Sequence, residues 1–103
     1  MIETEIRLLL AAPALGEGAP SRAAIEHTLT AGYARAMALE AEQGRLRRRL
    51  TDLAVRAADG EVDVHASELR SHAARLRASE RELLQLRDLI AALRARAAQA
   101  RAA

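Results

Sequence analysis

Cysteine is absent from the 103 residues, so disulfides, thiolate nucleophiles and cysteine-ligated metals are excluded. Trp and Phe are also missing, and Tyr33 is the only aromatic side chain. Aromatic and β-branched residues are too few for a sandwich, a barrel or a doubly wound sheet. There is likewise no set of rings on which nucleic-acid bases would stack. Lys does not occur, so all 16 basic residues are Arg. Proline is confined to Pro13 and Pro20. Long apolar runs are lacking too: Leu8–Ala12 is well short of the ~18 residues that cross a membrane. The opening MIETEIRLLLAA has no basic stretch of the kind that begins a signal peptide. These absences predict a cytoplasmic protein without membrane contact.

What is present is the material of long helices. Ala supplies 26 residues, Leu 16 and Arg 16, more than half of the chain. A chain this short buries only a thin core, which argues against a large enclosed substrate pocket. Net charge is +2 but unevenly spread. Residues 1–43 carry three Arg against six Glu, residues 44–77 eight Arg against five acids, and residues 86–103 four Arg against Asp88.

Punctuation divides the chain into three parts. Residues 1–12 are a short element: Ile2, Ile6, Leu9 and Leu10 fit one helical face, while Ile2, Thr4, Ile6 and Leu8 fit strand alternation. The LLLAA run favours a helix, either a third helix or a docking segment. Pro13, Gly16, Gly18 and Pro20 mark residues 13–20 as a linker. Residues 21–103 predict a hairpin: a helix over about 22–58 capped by Ser21, a turn at 59–62 with Gly60 left-handed, and a helix over about 63–101 capped by Asp63. Glu61, Asp63 and Glu68 open this last helix, and Arg94, Arg96 and Arg101 close it, as the macrodipole favours.

The strongest signal is a heptad. Ile25, Leu29, Gly32, Ala36, Leu39, Gln43, Leu46, Leu50, Leu53 and Ala57 follow an unbroken 4-3 spacing. So do Val62, His65, Leu69, His72, Leu76, Ser79, Leu83, Leu86, Ile90, Leu93, Ala97 and Ala100. Such 3.5-residue periodicity is a coiled-coil seam. A short turn at Asp59-Gly60 makes the helices antiparallel and pairs seam positions whose numbers sum to 122. That register sets Gln43 opposite Ser79 as a polar pin, and Gly32 opposite the large Ile90. It also places Arg35 near Glu82, Glu42 near Arg75, Arg49 near Glu68, Glu40 near Arg87 and Arg47 near Glu80. The predicted fold is all-α: a long antiparallel coiled-coil hairpin with a short N-terminal element.

One stripe per helix gives a thin core for a hairpin of this length, and apolar residues remain outside the seam. Tyr33, Met37, Leu84 and Leu89 are read as a second apolar face, which predicts a homodimer in the form of a four-helix bundle.

Three kinds of chemistry bear on these residues. His65, Glu68 and His72, spaced i, i+3, i+7, form a weak metal-binding candidate, and seam packing with an Arg49–Glu68 pair is favoured instead. Arg45, Arg48, Arg49, Arg70, Arg75 and Arg77, with Arg47 in the same run, form a patch that could track phosphates of a nucleic acid or an anionic nucleotide. Interleaved acids make a solvated, ion-paired surface the favoured reading there. Thr28, Thr30 and Ser79 lack the His–acid arrangement that activates a nucleophile, and no glycine-rich phosphate loop occurs. The chain therefore reads as a non-catalytic, cofactor-free interaction module, an adaptor, assembly factor or regulator, with another protein or a second copy as partner. Anion binding through the arginine patch is the alternative.

Overall fold

The computed structural model describes residues 1–102, with side chains outside 61–63; the capping role expected of Asp63 and the parts expected of Glu61 and Val62 lie outside the described residues. Every regular element described is helical. Helix α1 spans Ile2–Ala11, α2 spans Arg22–Arg56 and α3 spans Val62–Ala102. The two long helices pack against each other as an antiparallel pair. They are joined through a wide turn, Ala57–Glu61, in which Gly60 adopts φ 99° and ψ 8°. That left-handed conformation is cheap only for a residue without a Cβ. At the start of α2 the Ser21 hydroxyl accepts a 3.0 Å hydrogen bond from the Ala24 N–H, satisfying one of the orphan donors of the first turn.

The chain forms two compact units, Met1–Met37 with Leu84–Ala103, and Ala38–Leu83. In the first unit, Ile25, Leu86, Ile90 and Leu93 are buried along the α2–α3 seam. A methyl group on Gly32 would lie 3.2 Å from Ile90 Cγ1 and 3.7 Å from Ile6 Cδ1. Glycine is favoured here by the close approach of Ile90, whose side chain would have to shift for a larger residue, and not by backbone conformation. Ile6 of α1 is completely buried at this point. Further along, the Arg96 guanidinium donates to the carbonyls of Leu10 at 2.6 Å and Ala12 at 3.0 Å. Helix α1 thus runs parallel to α3, and its unsatisfied C-terminal carbonyls are capped by an arginine of that helix. The linker returns through Gly16 and Gly18, both at positive φ.

In the second unit Leu39, Leu46, Leu53 and Leu83 are buried, whereas Leu50, Leu69 and Leu76 are half-buried. Gln43 Nε2 donates to Ser79 Oγ at 3.3 Å, both side chains being buried. Gln43–Ser79 here and Gly32–Ile90 in the first unit both obey the predicted register. Three of the expected flanking ion pairs lie in this unit: Arg49–Glu68 at 2.7 Å, Arg47–Glu80 at 3.5 Å and Arg75–Glu42 at 3.5 Å.

Candidate functional site

In the first unit, α1 occupies one flank of the α2–α3 pair and the opposite flank is open. The open flank forms a groove of about 870 Å³. From α2 it is lined by Ile25, Leu29 and Tyr33, and from α3 by Ala91, Ala95 and Ala98. The floor is apolar because seam residues reach its edge and alanines on α3 project little bulk. Arginines stand over it: Arg22 on α2, and Arg94 and Arg101 on α3. Arg22 is already committed to Glu26 at 2.9 Å. No ion pair within the described residues engages Arg94 or Arg101.

One large exposed apolar side chain, Tyr33, lines this groove, and two more continue its helix faces. Tyr33 is 43% exposed, Met37 69% and Leu84 63%. Tyr33 and Met37 are four residues apart and share a face of α2, and Leu84 lies one heptad before Ala91 on α3. The fourth residue of the expected face is placed differently. Leu89 is half-buried and lies one heptad before Arg96, on the flank that α1 occupies. The structure therefore brings Tyr33, Met37 and Leu84 onto the open flank and sets Leu89 apart from them.

The arginine patch of the second unit divides in a similar way. Arg45, Arg49 and Arg75, with His72 and Glu42, line a shallow notch of about 280 Å³. Arg48, Arg70 and Arg77 are exposed and lie outside it. Within the notch much of the charge is matched internally. Arg49 reaches Glu68 at 2.7 Å and Asp52 at 3.2 Å, and Arg75 reaches Glu42. The hydrogen bond between Arg49 and Glu68 raises the guanidinium pKa and holds the Glu68 carboxyl below the usual 4.5.

That same contact defines the surroundings of the histidines. Glu68 Oε1 accepts from both Arg49 Nε and Nη2. His65 Nδ1 stands 4.0 Å from Glu68 Oε2, and His72 Nδ1 donates to the Glu68 backbone carbonyl at 2.9 Å. Among the described residues no group of three or more His, Asp or Glu side chains is placed to hold a metal ion.

Two polar residues gain roles that sequence reasoning did not assign. Arg96 caps α1, although on the sequence it reads as one more cation near a helix C-terminus. Glu3 lies on the packed face of α1 with Ile6, only 9% exposed, and neither carboxylate oxygen has a hydrogen-bond partner. Its position in the first turn of α1 gives partial compensation from the helix dipole. No helix of the described residues is long and apolar enough to cross a membrane. Comparison with protein-family models, curated proteins and solved structures finds no match.

Proposed function

We propose that this chain is a non-catalytic interaction module that works by helix–helix docking on the open flank of its first unit. The observation that carries the reading is the groove opposite α1, lined by exposed Tyr33, with exposed Met37 and Leu84 further along the same helix faces. Apolar surface gathered beside a concave apolar floor is the usual form of a helix-in-groove partner site. With α1 on one flank, this end of the molecule holds three helices, and one further helix on the other flank makes four. Two chains meeting there through their α2–α3 pairs, each with its α1 on the outer flank, form the four-helix core of the homodimer expected from the apolar residues outside the seam; a helix of another protein fills the same place. An adaptor, assembly or regulatory role in the cytoplasm belongs to this proposal.

The test is light-scattering mass at about 0.1 M and about 0.5 M salt, where screening differs several-fold, on protein whose 260/280 absorbance ratio is recorded. Leu84→Arg is the companion variant, because its exposure makes the change harmless to the core. A dimer at both salts that Leu84→Arg splits supports docking between copies. A nucleic-acid-free monomer directs the docking reading to a partner helix. Nucleic acid that leaves as salt rises overturns the reading in favour of phosphate binding by the arginines.

A further inference from the structure

We infer that the occupant of the groove is an amphipathic helix of a partner protein whose flanks are acidic. This rests on the docking reading above and decides between its two occupants. Arg94 and Arg101 are seven residues apart, roughly 10 Å along α3, so both overlook the same side of the groove. Neither is engaged in an ion pair within the described residues, while Arg22 across the groove is held by Glu26. Residues 86–103 carry four Arg against one acid. A second copy docked there brings its own arginine-rich flank, whereas carboxylates on a partner helix match the two guanidinium groups at rim positions. Rim charges of this kind select the partner and speed its encounter, and the apolar floor supplies the contact.

The test uses the full chain and two labelled synthetic peptides of about 18 residues, enough for five helical turns. Both carry the same leucine stripe; one has Glu and the other Lys at the flanking positions. Fluorescence anisotropy is expected to show the Glu peptide bound about tenfold more tightly, as two exposed ion pairs allow. The double variant Arg94→Glu/Arg101→Glu is expected to reverse that preference with an unchanged circular dichroism spectrum. Ala95→Arg, which fills the floor, is expected to abolish binding of both peptides. Equal binding of the two peptides, lost in Ala95→Arg, overturns the acidic partner and leaves the docking reading standing. A stable dimer split by Leu84→Arg and not displaced by the Glu peptide assigns the groove to a second copy and also overturns it. A monomer that binds neither peptide overturns both the inference and the docking reading.

Discussion

The two units use the same heptad to different ends. In Met1–Met37 with Leu84–Ala103 the seam is reinforced by a third helix, and Ile6, Leu86 and Leu93 lose all contact with solvent. In Ala38–Leu83 only two helices meet, so Leu50, Leu69 and Leu76 stay half-buried, and a polar layer interrupts the leucines. The second unit carries its specificity in Gln43–Ser79 and in flanking ion pairs, which fix register more than they add stability. The first carries the apolar area, and also the surface left open. The two-helix seam fully buries Leu39 and Leu53 but leaves Leu50, Leu69 and Leu76 half-buried, and in the first unit the third helix closes only one of the two flanks. The largest expected effect follows from this. Leu93→Ala should cost about 2–5 kcal/mol, the range for fully buried leucines. Leu50→Ala should cost less, about 1 kcal/mol, because part of its surface is already wet. Urea denaturation followed by circular dichroism measures both; equal losses would remove the contrast between the units.

Helix α1 supplies that contrast, so releasing it is the next test. Arg96→Ala removes two charge-assisted hydrogen bonds to the carbonyls of Leu10 and Ala12. The expected loss is about 1.5–3 kcal/mol of α1 docking. Hydrogen exchange should rise across residues 2–12 while the Leu53 region keeps its protection. Glu3 offers the opposite sign. A buried carboxylate without a hydrogen-bond partner opposes docking, so Glu3→Leu should stabilise α1 by about 1 kcal/mol. Thermal melts of the single and double variants check both. A destabilised Glu3→Leu would show that the carboxylate has a favourable interaction in solution.

The hairpin was legible in the sequence because its register is over-determined. Glycine opposite isoleucine, glutamine opposite serine and three ion pairs all satisfy one folding point, and no other turn position aligns them. The candidate face was legible only in part. Leu84 and Leu89 both lie outside the seam, yet five residues at 100° each set them 140° apart around the helix. They therefore belong to different flanks. Residues 1–12 are too short for periodicity to separate helix from strand, and the strand pattern turns Glu3 outward. Only the tertiary packing of α1, with Ile6 beside Gly32, places Glu3 inside. Arg96 was hidden for a related reason: capping of a helix 84 residues away in sequence leaves no local pattern.

The smallest effect sharpens the account of the second unit. The Arg49 hydrogen bond lowers the Glu68 pKa from its usual 4.5, with Arg49, His65 and His72 as further favourable charges. A carboxyl whose folded pKa lies below its unfolded value adds stability that is fully present above about 4.5. That stability disappears as pH falls through the folded value. Glu68→Gln removes this dependence, since an amide does not titrate. Melting temperatures of the two proteins should differ slightly at pH 7, in favour of the parent, and converge near pH 3. Both side chains are more than one-third exposed, so the shift is expected to be the least of the four and to shrink further in high salt. A difference that persists unchanged at pH 3 would mean that Glu68 acts through packing rather than charge. The second unit would then depend on its narrow apolar seam in the same way as the first.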